Sequence, residues 1–410
     1  MTAWPQRRLG RRRLALLGAA CWYAAAALAG CVASAGQLVA VRPPSTAVTA
    51  AASPPRRSVA LLGASLPAAL ASDLVVPKRA RAVDTITLKQ VIAERGLEDW
   101  KLSDYEAMRD DTPRTSRFEA AIKRRLAGLE GKASVVDIGT GSLALLAIMA
   151  AKAGARKVYA IEKNGEAAKL AVEAVKKAGF QDTIQVIEGD AMQTELPERV
   201  DFVVSELIGS IATQEGVEPI IRDAGKRFLK NGLSGDGASC PQMIPARCQT
   251  LIAPVKYTEH RIMDFAKKRG ILSRGKAVEG TIQPLRLRSK TSDLVFLAKP
   301  QVLEDFDYCN IDAPRQTERQ LTFQVPPSVA DQAKDFSGFA MWTKVVVDDK
   351  EEEIDVRKQK TSSHWAYVVA LMAEKPVNVV APGPIELRGT IDYTASPVSY
   401  TLETTVPIAA

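Results

Sequence analysis

Histidine is nearly absent from this sequence: His260 and His364 are the only two in 410 residues. Two histidines cannot build a histidine-rich metal centre, and they argue against a Ser-His-Asp triad. Cysteine is scarce as well. Of the five, Cys21 and Cys31 lie near the N-terminus, which leaves Cys240, Cys248 and Cys309. That odd number, without Cys-x-x-Cys spacing, predicts neither a zinc site nor a disulfide framework, and Cys240 and Cys248 read as small core or loop residues. Acid is missing altogether from residues 1–71, which carry eight arginines. Removing those eight from the 55 Lys and Arg leaves 47, equal to the 47 Asp and Glu, so the formal charge of +8 belongs to this leader. The rest of the chain is neutral, and no nucleic-acid partner is expected for it. A composition 46% hydrophobic and 25% charged is globular, with length for two domains, and it excludes collagen-like, coiled-coil and wholly disordered chains.

The leader reads as export signals in series. Arg7 to Arg13 form a positive region, and residues 14–35 run uncharged and Ala-rich to Ala33-Ser34-Ala35, a small-x-small cleavage pattern. Leu28-Ala29-Gly30-Cys31 resembles a bacterial lipobox. Residues 36–55 are rich in Ala, Ser, Thr and Pro, as in a plastid transit peptide. Arg56-Arg57 then precede a second apolar stretch ending in Ala69-Leu70-Ala71, which resembles a twin-arginine signal. The series predicts a plastid destination, stromal or in the thylakoid lumen, with the leader removed. The alternative is a single secretory signal, or an anchor in the first apolar segment, followed by a linker. No later segment is apolar enough to predict a stable membrane span.

Ser134-Val135-Val136-Asp137-Ile138 predicts a buried strand, and Gly139-Thr140-Gly141 follows it. Ser142 is placed to cap a helix running to Gly154, and a second strand at Lys157 ends in Glu162. This strand, turn, helix, strand and terminal acid form the fingerprint of a nucleotide cofactor site. The glycines let backbone approach the ligand, and the acid bonds a ribose hydroxyl pair. Further strand and helix patterns follow to Leu229 and predict a parallel, doubly wound sheet. NAD and S-adenosylmethionine share the fingerprint, and Ala144 stands where the dinucleotide form tolerates alanine. Nothing nearby supplies the acid or base of a hydride transfer, however.

After the fourth strand come Ser205-Glu206-Leu207-Ile208-Gly209 and then Glu215. Two carboxylates facing one pocket need a cation between them or a proton on one of them, and a planar guanidinium meets that need bidentately. Here the sequence resembles the protein arginine methyltransferase family. The resemblance rests on the paired glutamates, on Asp104-Tyr105-Glu106-Ala107-Met108 with Asp111-Thr112-Pro113-Arg114-Thr115 upstream, on Gly154-Ala155-Arg156-Lys157-Val158, and on Ser362-Ser363-His364-Trp365 far downstream. It implies an S-adenosylmethionine-dependent enzyme without metal that methylates a guanidinium nitrogen of arginine in a protein or peptide. Asp137, Gly139 and Gly141 would cradle the cofactor, Arg114 would pair with its carboxylate, Glu162 would hold its ribose, and Asp190 would sit near its adenine. Glu206 and Glu215 would clamp the guanidinium, Met108 would pack beside the methyl, and His364 would bond Asp111. Leu143 stands where the family has a third glycine, so crowding is expected there unless the turn shifts, and Ser363 replaces a threonine.

From residue 245 the pattern turns to β, with strands near Val255, Leu285, Leu294, Leu321, Val345 and Trp365 and an alternating run from Ile385 to Tyr393. The expected organisation is a leader at 1–71, N-terminal helices and a Rossmann-like cofactor domain at 72–244, and a β-barrel-like substrate or dimerisation domain at 245–410. Residues 257–270 are the place for a helical dimerisation arm, and a homodimer is an open expectation. His260 reads as a surface residue. The alternatives to arginine methylation are a methyltransferase for another cationic or small substrate, and a non-catalytic scaffold that keeps the fold.

Overall fold

The computed structural model describes residues 84–93, 100–233, 240–260, 284–287, 292–329, 335–351, 353–361, 363–380 and 382–408. The leader and residues 261–270 of the expected arm lie outside the described residues. Among those described, no helix is long and apolar enough to cross a membrane.

The α/β half is built around a five-stranded parallel sheet. Its strands are β2 (Ser134–Ile138), β3 (Lys157–Glu162), β4 (Ile184–Glu188), β5 (Phe202–Ser205) and β6 (Met243–Ile244), in the order β4-β3-β2-β5-β6. Each residue of β2 is buried, as expected for a central parallel strand covered on both faces. The helices are α1 (Leu102–Asp110), α2 (Thr112–Leu126), α3 (Leu145–Lys152), α4 (Gly165–Ala178) and α5 (Val217–Arg227). Local chemistry sets their ends. The Asn164 side chain caps α4 by accepting from the amides of Glu166 and Ala167, both at 3.0 Å, and Gly179 closes it at φ +79°. Asp111 caps α2, with Pro113 in the first turn. Ser142 does not cap α3, as its position suggested. The helix instead starts after Ala144 at φ +44°, and the buried Ser142 Oγ has no partner.

The other half is two antiparallel sheets. One runs β10 (Gln301–Asp307), β7 (Arg247–Tyr257), β12 (Gly338–Val346), β14 (Tyr367–Leu371) and β8 (Leu285–Leu287), with β9 (Leu294–Phe296) on β7 and β13 (Ile354–Asp355) on β12. The second has the order β1-β16-β15-β11, from β1 (Asp84–Ala93), β16 (Ser399–Ile408), β15 (Gly383–Asp392) and β11 (Glu318–Val325). Phe323, Phe339, Leu387 and Leu402 belong to the core that both sheets share, which makes the half barrel-like. Strand β15 alternates buried and exposed along its length, as its sequence pattern predicts.

Three expectations are corrected. Residues 84–93, assigned from sequence to the cofactor domain, pair along their whole length with β16 and so belong to the β half. Their β-branched and apolar residues Ile86, Leu88 and Ile92 recur at period two, which suits a strand. His260 is not a surface residue: it is buried, and its Nε2 lies 3.1 Å from the Ala373 carbonyl oxygen, because the strand before it carries it into the fold. Cys240 and Cys309 form a disulfide, leaving Cys248 buried and free. The bridge joins the segment entering β6 to the turn after β10, a pairing that cysteine spacing cannot show.

With the two cysteines 69 positions apart in sequence, the chain-entropy model assigns this crosslink about 4 kcal/mol. Cys309→Ser should therefore lower the urea-unfolding free energy by about 2–4 kcal/mol. Reductant should destabilise the wild type by a similar amount and leave the variant unchanged.

Candidate functional site

The carboxyl ends of β2, β3 and β5 gather the site. After β2 the chain turns through Gly139 at φ +74° and Gly141 at φ +66°, a left-handed geometry that glycine adopts without strain. The amides of Gly139 and Thr140 donate to the Ile161 carbonyl at 2.9 and 3.0 Å, fastening the turn to β3. Glu162, the last residue of β3, accepts from the Gly141 amide at 2.8 Å and the Asn164 amide at 2.9 Å. A Cβ on Gly139 would stand 2.3 Å from Leu207, and one on Gly141 2.7 Å from the Tyr105 ring. Helix α1 is thus laid over the glycine turn, with Tyr105 as the covering ring and Trp100 5.8 Å from it. Leu143 is accommodated by the turn, since the left-handed step falls on Ala144 and Leu143 stays half-buried.

The loop between β5 and α5 carries both candidate glutamates and is almost wholly buried. Glu206 Oε1 accepts from the Ile208 amide at 3.1 Å. Its Oε2 receives Arg114, whose Nε lies at 3.0 Å and whose Nη2 makes a second bond. Arg114, expected at the cofactor's carboxylate, therefore meets one of the two clamp acids. It also donates from Nη1 to the Met108 carbonyl at 3.2 Å, tying the end of α1 to the site. Glu215 is half-buried. Burial, together with the charges of Glu162 and Glu215, raises the Tyr105 hydroxyl well above its ordinary value.

The β half holds the loop from outside. Trp365 donates from Nε1 to the Ile208 carbonyl at 2.7 Å, and the Ala366 amide donates to Ser210 Oγ at 3.1 Å. His364, beside them, reaches Asp111. Asp111 Oδ2 accepts from His364 Nδ1 at 2.8 Å, the His364 amide at 3.0 Å and Ser363 Oγ at 2.8 Å. Serine thus supplies the hydroxyl that the family's threonine would supply.

Two buried acids are pushed in opposite directions. Burial alone would raise Asp111, but the bonds from His364 and Ser363 outweigh it and hold the carboxyl at about 2. Burial also lowers His364, so its ring is neutral near pH 7, with Nδ1 donating to the carboxylate. Asp137 has donors on one oxygen only, and burial pushes it up to about 7 despite bonds from Thr140 Oγ1 at 2.6 Å and the Ala147 amide at 3.0 Å. Asp190 is further out, paired with Lys163 at 2.9 Å and accepting from the Met192 amide at 3.0 Å. Its acceptors are engaged locally, and no contact links it to the glycine turn.

These residues fit a cofactor that carries an ammonium and a ribose. Asp137 Oδ1 and Ser142 Oγ are buried without a partner, beside a turn whose glycines are covered by Leu207 and Tyr105. An ammonium near Oδ1 would bring Asp137 down from its raised value.

Known proteins match this arrangement. Residues 97–232 fit the family model described as PRMT5 arginine-N-methyltransferase. A protein arginine N-methyltransferase 6 of Xenopus tropicalis is 24% identical over 307 residues, covering 72% of this chain and 84% of that relative. Its counterpart in Danio rerio is 34% identical over 169 residues, covering 40% of this chain and 45% of the relative. The chain is similar to protein arginine N-methyltransferases, most of all over residues 97–232. In fold it is similar to protein arginine methyltransferase 10 of Arabidopsis thaliana, with TM-score 0.58 and 23% identity over 76% of this chain and 94% of that one. It also resembles the Trypanosoma brucei PRMT1 enzyme-prozyme complex with AdoHcy, with TM-score 0.51 and 20% identity over 70% and 87% of the two chains. S-adenosylmethionine is the cofactor this family implies, and Asp137, the glycine turn and Glu162 are the residues that would hold it.

Gly141→Ala should lower S-adenosylmethionine affinity at least about tenfold in calorimetry, because backbone and Tyr105 ring both resist a methyl group there. The same change at Gly128, which is also at positive φ but has nothing within 4 Å, controls for backbone strain alone. Asp137 also predicts a pH response. Its folded value of about 7 lies above the ordinary 3.8, so the native state favours the protonated form. Without cofactor, stability should fall as pH rises from about 4 to 7, and Asp137→Asn should flatten that limb in urea midpoints.

Proposed function

We propose that this chain transfers the methyl group of S-adenosylmethionine to a guanidinium nitrogen of arginine in a protein or peptide. The observation that carries the reading is the buried loop of Glu206 and Glu215 beside the glycine turn, where Glu206 already accepts a guanidinium from Arg114. A guanidinium is a poor nucleophile, since its lone pairs are delocalised. Two carboxylates on one side draw the positive charge toward themselves and leave the opposite nitrogen richer in electrons. When bound, the cofactor supplies an electrophilic methyl on a sulfonium. Glu206 and Glu215 would present the opposite nitrogen to that methyl, and one of the two carboxylates would take the proton that the nitrogen releases. Orientation and charge placement do the work, with no covalent intermediate. Arg114 holds Glu206 in place, Met108 stands at the end of α1 beside it, and the Asp111–His364 pair locks α2 to the β half.

The leader supports a plastid or secretory route, and the Cys240–Cys309 disulfide favours an oxidising compartment over a reducing one. Within the plastid this points to the thylakoid lumen ahead of the stroma. A homodimer is part of the same proposal.

Glu206→Gln and Glu215→Gln should each lower labelled-methyl transfer to an arginine peptide by more than about 10²-fold, while cofactor affinity stays within a few-fold. A lysine-for-arginine peptide should accept nothing. An unchanged rate in both glutamine variants, or equal transfer to lysine, would overturn the assignment. A fluorescent fusion of residues 1–71 reports the destination.

A further inference from the structure

Glu304 lies on β10, outside the residues so far assigned to the site, and its carboxylate is buried. Its contacts converge on the loop of the two glutamates. The Thr213 amide donates to Oε1 at 3.1 Å, and Thr213 Oγ1 lies 2.7 Å from Oε2. The Ala212 amide donates at 2.9 Å to Thr250 Oγ1, whose own hydroxyl bonds Glu304 Oε1. The Tyr400 hydroxyl, from β16, stands 3.3 Å from Oε1 and 3.1 Å from Thr213 Oγ1. One carboxylate therefore collects donors from β7, β16 and Thr213 of the loop, and it reaches the Ala212 amide through Thr250.

Residues 211–216 form turns, so no helix or strand sets their backbone. Glu215 comes two residues after Thr213, and Gln214 between them bonds back to the Ile211 amide at 3.1 Å. We infer that Glu304 is a positioning residue for methyl transfer: by fixing the amides of Ala212 and Thr213 it sets the direction of the Glu215 carboxylate. The inference rests on the proposed arginine chemistry. A buried carboxylate suits the task because its burial is tolerable only while its donors stay in place, so it resists displacement of the loop. An apolar side chain of the same volume would fill the space without defining the path of the turn.

The test uses the full chain with Glu304→Gln, which keeps size and one acceptor but presents an amide NH₂ to hydroxyls and a backbone N–H. Cofactor titration should give the wild-type site number and affinity. The value of kcat/KM for an arginine peptide should fall by up to about 10²-fold, the scale of a misplaced reacting group. Hydrogen exchange should speed up at residues 211–216 and stay unchanged in the glycine turn. Parallel loss of cofactor binding and transfer would reduce Glu304 to a stabilising residue and overturn the inference, as would wild-type exchange at residues 211–216. If the glutamine variant fails to fold, Tyr400→Phe removes one donor only and should show the same pattern, weaker. Should the wild type itself transfer nothing to arginine, the proposed function falls, and the exchange measurement still decides whether Glu304 holds the loop.

Discussion

A carboxylate taken out of water must find donors, and this requirement organises the catalytic end of the molecule. Asp111, Asp137, Glu162, Glu206 and Glu304 are all buried. Each recruits donors from a different part of the chain. Glu162 takes amides from the glycine turn and the start of α4, Glu206 takes Arg114, Asp111 takes His364 and Ser363, and Glu304 takes Thr213, Thr250 and Tyr400. A hydrophobic core fixes which faces meet but tolerates small slides, whereas these bonds weaken steeply with angle and distance. The acids therefore define positions that packing alone would leave loose.

The same requirement explains why two aspartates on neighbouring elements behave oppositely. Asp111 is surrounded by donors from the far end of the chain and stays ionised to about pH 2. Asp137 has two donors on one oxygen and none on the other, and it approaches neutrality near pH 7. The first arrangement is complete without a ligand, while the second becomes so only with a further donor or cation. Structural and ligand-directed acids can be told apart by that difference, even though burial is the largest influence on both.

Local features of the sequence carried far into the structure. Strand β2, the glycine turn, the acid closing β3 and the paired glutamates all lie within short windows, where periodicity and turn chemistry act directly. The alternation of β15 was legible for the same reason. What escaped depends on contacts distant in sequence. Thr213 and Glu304 are 91 residues apart, the disulfide spans 69, and β1 finds its partner at the opposite end of the chain. Ser142 misled because a serine before an apolar run resembles a cap, although the chain reaches α3 through a left-handed Ala144. Arg114 was expected at the cofactor's carboxylate, and its bond to Glu206 could not be read from either residue alone.

The division of labour between the halves follows from these distances. A parallel sheet presents loops at its carboxyl ends, and such loops carry few internal bonds. Here the loop after β5 is braced by side chains of the β half, from Thr250 and Glu304 to Trp365. A site made by the α/β half alone would hold cofactor on rigid glycine geometry but would leave the glutamates on a yielding turn. With the β half docked, its strands fix the loop that carries both glutamates. On the proposed function, changes in β7 or β10 would therefore alter transfer without touching the cofactor.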